Sequence, residues 1–245
     1  MCCGRSFVSA HSAAAHWGCI MNVLVLGATG LTGRLVVEQL LTRSEVTSVV
    51  VPVRRSLGLT SPKLAEYLVD FDALESHSKI FEVDVLVCCL GTTIKKAGSQ
   101  EAFRKVDYEY ALTGARLARQ AGASTMILMS AIGASSRSTV FYSRVKGELE
   151  DAVRELGFDY LSIYHPSLLL GDRKEHRTGE ALGMAVMPLA NRALIGPLQK
   201  YRAIHAEVVA AAMVNELIKS AGAESSRPTI KVREYDDIQR LAKKS

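Results

Sequence analysis

Residues 22–33 read NVLVLGATGLTG. A short, mostly apolar run meets Gly27, Gly30 and Gly33. Glycine costs backbone entropy and usually stands where a side chain would be in the way. Two readings compete: a tight strand-to-helix turn, or a backbone left bare for a ligand. A strand pattern before the glycines and a helical pattern after them favour the ligand. In that reading Gly27 makes the turn, Gly30 lets a pyrophosphate approach, and Gly33 lets the helix pack close to the sheet. The helix start, with Thr29, Leu31 and Thr32, offers amide groups and the positive end of a helix dipole to phosphates. The spacing is G-x-x-G-x-x-G, not the G-x-G-x-x-G of many dinucleotide sites.

The rest of the chain repeats the same alternation. Strands are expected at 22–26, 46–53, 67–69, 83–90, 125–130 and 160–164, and helices at 31–42, 100–121 and 140–156. Beyond Pro166 the pattern predicts helices at 181–194 and 206–221, a last strand at 228–232 and a last helix at 235–243. Near-continuous apolar strands between helices mean a parallel sheet covered on both faces. The expected fold class is therefore α/β, a Rossmann-type doubly wound parallel sheet. Residues 21–245 read as a single domain, with a small C-terminal lid over the carboxyl ends of the strands from about residue 171. Residues 1–20 have no acidic residue and a single arginine, and they read as a disordered leader outside the fold.

Composition narrows the function classes. A chain of 245 residues can bury one large core. The net charge of +5 comes from scattered Lys and Arg. No basic run or aromatic platform argues for nucleic acid. No apolar run approaches the ~20 residues that cross a membrane. Of the five cysteines, Cys2, Cys3 and Cys19 lie in the leader, while Cys88 and Cys89 are strand neighbours facing opposite ways. No CxxC pair appears, so neither a zinc site nor a disulfide scaffold is expected, and a reducing, cytoplasmic setting fits best. His11, His16, His77, His176 and His205 show no metal-ligand spacing. Arg173, Lys174, His176 and Arg177 form a basic loop suited to an acidic substrate or to solvent.

The second strand ends in Arg54 and Arg55, where an acidic residue would bind the ribose 2′-hydroxyl of NAD. Two guanidinium groups suit a 2′-phosphate instead, so NADP(H) is the expected cofactor. Tyr142 and Lys146 are four apart and share one helix face. Ser130 ends the fifth strand, where sites form. A tyrosine is a poor acid–base catalyst at neutral pH, since its ordinary pKa is about 10. An adjacent ammonium lowers that value. A serine hydroxyl can hold a substrate oxygen while the phenol gives or takes the proton of a carbonyl/alcohol pair.

GATGLTG, Ser130 and Tyr142-x-x-x-Lys146 together resemble the short-chain dehydrogenase/reductase superfamily in its atypical branch. CLGTTIKKAGSQEAFRKVDYEY, SAIGASS, YSRVKGELE and PSLLLGDR resemble the TIP30-like group more specifically, over roughly residues 22–213. The resemblance implies that Leu90, Gly91, Thr92 and Thr93 flank the cofactor. It places Asp70 and Phe71 near the adenine, and Pro166, Ser167 and Leu168 by the nicotinamide, with His165 beside them. Many relatives carry an asparagine in a proton relay where this chain has Asp107, and Arg-Pro-Ser where it has His165-Pro166-Ser167. Three functions stay open. One is an NADP(H)-dependent oxidoreductase acting on a small molecule. Another is an NADP(H)-sensing regulator with a protein partner. The third is a sugar-nucleotide epimerase or dehydratase, disfavoured because little chain follows Gly171. A homodimer is allowed and a monomer equally so.

Overall fold

The structure is a computed structural model that describes residues 20–171, 194, 196–220 and 228–243. The leader with its cysteines and histidines, the basic loop at 173–177 and the helix expected at 181–194, save its last residue, lie outside the described residues.

The apolar runs become strands of one sheet: β1 (Met21–Leu26), β2 (Val46–Val53), β3 (Leu64–Leu68), β4 (Val85–Cys88), β5 (Thr125–Met129) and β6 (Tyr160–Tyr164). A short pair, β7 (Leu169–Leu170) and β8 (Ile204–His205), stands apart, and β9 (Thr229–Arg233) completes the main sheet. Seven parallel strands lie in the order β3-β2-β1-β4-β5-β6-β9. The order reverses beside β1, the switch point at which such sheets bind ligands.

Helices cover both faces, so both faces of the strands are apolar. On one side α1 (Leu31–Leu41) packs against α6 (Ala206–Ser220), which in turn packs against α7 (Tyr235–Ala242). On the other lie α4 (Ala111–Gln120) and α5 (Phe141–Arg154). Strand alternation divides the core accordingly. Val23, Val25, Val87 and Cys89 join the α1/α6 side, while Leu24, Leu26, Leu86 and Cys88 join the α4/α5 side. The two cysteines do face opposite ways, both as free thiols.

The structure departs from the sequence pattern in several places, and β4 is shorter than the 83–90 expected. The third strand spans Leu64–Leu68 rather than 67–69, because an edge strand is only half buried and its alternation is weak. A 3₁₀ segment, Phe71–Phe81, follows it, started by Asp70. The helix expected over 100–121 is α3 (Gln100–Arg104), a π-helical turn (Lys105–Tyr110), then α4. The segment expected as a lid from about Gly171 divides. Its described part from Ile204 onward builds the main body, because Val209, Ala210, Met213 and Leu217 are core residues on α6.

One polar cluster is sealed under β6. The Glu216 carboxylate on α6, 3% exposed, accepts hydrogen bonds from the Tyr160 hydroxyl at 2.7 Å, Ser162 at 2.9 Å and Tyr164 at 2.6 Å. Arg233 of β9 donates Nε–H at 2.8 Å and neutralises the charge. A buried carboxylate is tolerable only with partners of this kind.

Candidate functional site

The three glycines differ in what they are for. A side chain at Gly27 would stand 2.5 Å from the backbone of Cys89, and Gly27 has a positive φ of 80°. A side chain at Gly33 would stand 2.2 Å from the Gly27 carbonyl oxygen. These two are demanded by the turn itself. Gly30 is exposed, and among the described residues a Cβ there would meet only the Gly27 oxygen, at 3.2 Å. It also precedes the first turn of α1, which has no side-chain cap and no acidic residue. Thr32 is 2% exposed, and its hydroxyl has no hydrogen-bond partner among the described residues. Unspent amides, a bare glycine and an orphaned buried hydroxyl together form a cradle for an anion. Thr29 is exposed beside it, and Leu31 packs towards Gly171.

A second feature lies alongside. Arg54, Phe71 and Leu90 line one small pocket together with Val106 and Tyr110. The Phe71 and Tyr110 rings tilt together with centroids 5.5 Å apart. Arg54 and Arg55 are both exposed at the end of β2. The Asp70 carboxylate accepts the Asp72 N–H at 2.9 Å and starts the 3₁₀ segment. Asp72 accepts the Tyr110 hydroxyl and pairs with Lys105 at 2.7 Å, which holds its carboxyl below the usual range.

The third feature is on α5. Tyr142 and Lys146 stand one turn apart, with the Tyr142 ring 5.5 Å from that of Phe103. Lys146 is 3% exposed, and its Nζ lies 2.8 Å from Asp107 Oδ1. The other oxygen of Asp107 accepts the Thr92 N–H at 2.8 Å. Gly91 lies against both groups: a Cβ there would stand 3.5 Å from Asp107 Oδ1 and 3.7 Å from Lys146 Nζ. Burial pulls the Lys146 ammonium down, but the Asp107 and Tyr142 charges more than offset it, and the group is raised. Burial also pushes the Asp107 carboxyl up, against the pull of Lys146 and the Thr92 amide.

The Ser130 hydroxyl is bonded to a neighbour of this pair on α5. Ser130 is buried, and its hydroxyl donates to Glu150, a carboxylate 3% exposed one turn beyond Lys146 on α5. Glu150 also holds His165 Nε2 at 2.8 Å and Arg154 at 3.2 Å. The carbonyl of buried Pro166 accepts the Ile132 N–H at 3.0 Å, tying the β5 and β6 ends together. Ser167 donates to the Arg202 carbonyl. Leu168 is exposed, and its carbonyl accepts the Ile204 N–H at 2.9 Å. Thr93 caps the short helix α2 (Ile94–Ala97).

A family model described as NAD(P)H-binding matches residues 27–219. The chain belongs to the NAD(P)H-binding family. Protein HTATIP2 of Rattus norvegicus is 39% identical over 165 residues, 66% of this chain and 68% of that one. Protein fmp52, mitochondrial, of Aspergillus niger is 32% identical over 211 residues, 83% and 89% of the two chains. Within the NAD(P)H-binding family the chain thus stands in the TIP30-like group of atypical short-chain dehydrogenase/reductases. The UDP-Glc/GlcNAc 4-epimerase of Campylobacter jejuni superposes with a TM-score of 0.63 at 14% identity, over 89% of this chain and 82% of that one. The UDP-glucose 4-epimerase of Thermotoga maritima gives 0.60 at 16%, over 89% and 88%. At such identities these two show the shared fold.

The cradle residues fit the dinucleotide that an NAD(P)H-binding protein holds. Val106 and Tyr110, which line the pocket, and Glu150, which takes the Ser130 hydroxyl, are residues that the pattern did not single out. Val106 and Tyr110 sit in a stretch that reads as plain helix, where the structure has a π turn that lines the pocket with Leu90. Glu150 reads as one more helix acid. Its position i+4 from Lys146, below the strand-end Ser130, was the available signal.

Proposed function

We propose that the protein is an NADP(H)-dependent oxidoreductase of the short-chain dehydrogenase/reductase type, acting on a small carbonyl or alcohol. One observation carries the reading: Tyr142 stands a turn from a buried ammonium, Lys146, held at the β4 end beside Gly91. That is where a proton has to be given or taken beside a bound nicotinamide.

In this reading the α1 amides, Gly30 and the Thr32 hydroxyl hold the pyrophosphate, and Phe71, Leu90, Val106 and Tyr110 enclose the adenine. Arg54 and Arg55 take the 2′-phosphate, which selects NADP(H) over NAD(H). The bound cofactor supplies or accepts the hydride. Tyr142 donates its phenolic proton to the carbonyl oxygen. The Lys146 ammonium then stabilises the phenolate left behind, and in the reverse direction that phenolate takes the alcohol proton. Ser130 acts from behind, by fixing Glu150 and through it His165 at the β6 end. The free thiols Cys88 and Cys89 suit a reducing compartment, the cytoplasm as expected, or a mitochondrial one as the names of the fungal relatives say of those proteins.

A second reading is a sensor that binds NADP(H) without turnover and reports to a protein partner. The Ser130–Glu150 bond favours it, because it takes away the hydroxyl expected to hold substrate. The test is NADPH consumption over a panel of aldehydes, ketones and quinones. Tyr142→Phe should cut turnover by about 10²–10⁴-fold while leaving NADPH binding in place. Unchanged turnover in that variant would remove the mechanism. Tight NADPH binding with no turnover on any carbonyl would favour the sensor. In the same titrations, Arg54→Glu with Arg55→Glu should erase any preference of NADPH over NADH.

A further inference from the structure

The π-helical turn Lys105–Tyr110 touches both ends of the proposed cofactor site. A π turn bonds i to i+5, so it carries an extra residue and re-aims its side chains. Val106 and Tyr110 form one wall of the pocket that also holds Arg54, Phe71 and Leu90. Asp107, the residue next to Val106, turns the other way, is fully buried, and meets Lys146 at 2.8 Å and the Thr92 amide at 2.8 Å.

The two sides of the turn are held differently, the pocket side by a half-exposed pair and the α5 side by a buried one. On the pocket side Asp72 takes the Tyr110 hydroxyl and pairs with Lys105 at 2.7 Å. On the α5 side, the Asp107–Lys146 contact is a buried ion pair. Removing one partner of such a pair strands the other, so it does not slip as a surface pair does. A group packed on Val106 and Tyr110 therefore firms the looser side of a turn whose only buried charge is fixed to Lys146.

We propose that Asp107 is a positioning residue that couples occupancy of the Arg54/Phe71/Leu90/Val106/Tyr110 pocket by an adenine nucleotide to the placement of the Lys146 ammonium. This rests on the reading of that pocket as the adenine end of the cofactor site. The two ends of the site then communicate through protein, not only through a ligand that spans them. Filling the pocket settles the turn and steadies the contacts that Asp107 already makes with Lys146 and the Thr92 amide, so the site beside Tyr142 is held assembled before the substrate arrives.

The probe is adenosine 2′,5′-bisphosphate, which has the adenine and the 2′-phosphate but no nicotinamide to reach Tyr142. Its affinity and that of NADPH are measured by calorimetry on the full chain, wild type and Asp107→Asn. Exchange of the Thr92 amide proton is followed by NMR with and without the probe. The expected result is at least about fivefold slower Thr92 exchange when the probe binds wild type, and about fivefold weaker probe binding by Asp107→Asn. Binding alone slows exchange throughout the fold by mass action, so the Thr92 slowing is counted in excess of that at core amides of β1, and a purely structural role for Asp107 would give no such excess. Probe binding without that excess at Thr92 overturns the proposal, as does equal probe affinity in the two proteins. If NADPH binds and the probe does not, the coupling fails while the oxidoreductase reading stands. If neither binds, both fall. Should Asp107→Asn not fold, the Thr92 response in wild type decides alone.

Discussion

At the scale of single residues, Gly30 and Gly33 separate two jobs of one motif. A methyl at Gly33 runs into the Gly27 carbonyl at 2.2 Å, and backbone cannot give way cheaply. Gly33→Ala should therefore lower stability by about 1–3 kcal/mol, read as a lower urea midpoint. A methyl at Gly30 meets a single atom at 3.2 Å and otherwise faces outward. Gly30→Ala should melt near wild type yet bind NADPH about tenfold more weakly. Equal loss of stability in both variants would mean that all three glycines serve the turn alone. The same division shows what the motif reveals by itself. Its spacing gives the strand, the turn and the helix. Which glycine faces a ligand depends on where Cys89, from another strand, comes to lie.

At the scale of elements, α5 has to sit close to the loop that follows β5. Gly147 makes this possible: a Cβ there would stand 2.1 Å from the Ser135 backbone and 2.2 Å from that of Ser136. Gly147→Ala should push this loop off α5 and part the strand end that carries Ser130 from the helix that carries Glu150. Melting temperature should fall by about 4 °C or more, and NADPH turnover should fall with it. Retained melting temperature and turnover would mean that the loop has room to shift. The elements also mark the reach of sequence patterning. Strands β2 and β6 are legible to the residue, because VTSVVVPV and YLSIY are dense in β-branched, aliphatic and aromatic side chains. Strand β3 is not, because LAEYL lies at an edge with half its residues in water. The π turn was hidden as well. KVDYEY has ordinary helical spacing, and what widens the turn is tertiary: Asp107 reaching α5 while Tyr110 reaches Asp72. Tyr142 and Lys146 could be paired from their spacing, whereas the partner of Ser130 could not, since a hydroxyl at a strand end has several carboxylates within possible reach.

At the scale of the whole molecule, both core layers hold weak acids kept neutral by burial. Burial pushes the Cys88 thiol from its ordinary 9.0 up to about 11. Burial and then Glu216 push the Tyr160 phenol from 10.0 to about 12, and Tyr164 and Cys89 are raised further still. Each group holds its proton longer when folded than when unfolded. Between the two values the folded chain binds more protons, so stability falls as pH rises. The contribution is whole below pH 9 and is lost progressively from about pH 9 to 12. The urea midpoint should be flat from pH 7 to about 8.5 and drop by pH 10.5, with Cys88→Ala softening the first part of the decline. A midpoint level to pH 11 would count against the sealed core.

The Glu216 cluster also sets an order of events during synthesis. The hydroxyls of Tyr160, Ser162 and Tyr164 leave the ribosome more than fifty residues ahead of their acceptor, and the cation on Arg233 follows seventeen residues after it. A nascent chain paused between Glu216 and Arg233 thus has the carboxylate in hand without the charge that neutralises it. The sheet can seal on this side only when its last strand emerges, so an interrupted chain keeps this flank open to proteases and a finished one closes it.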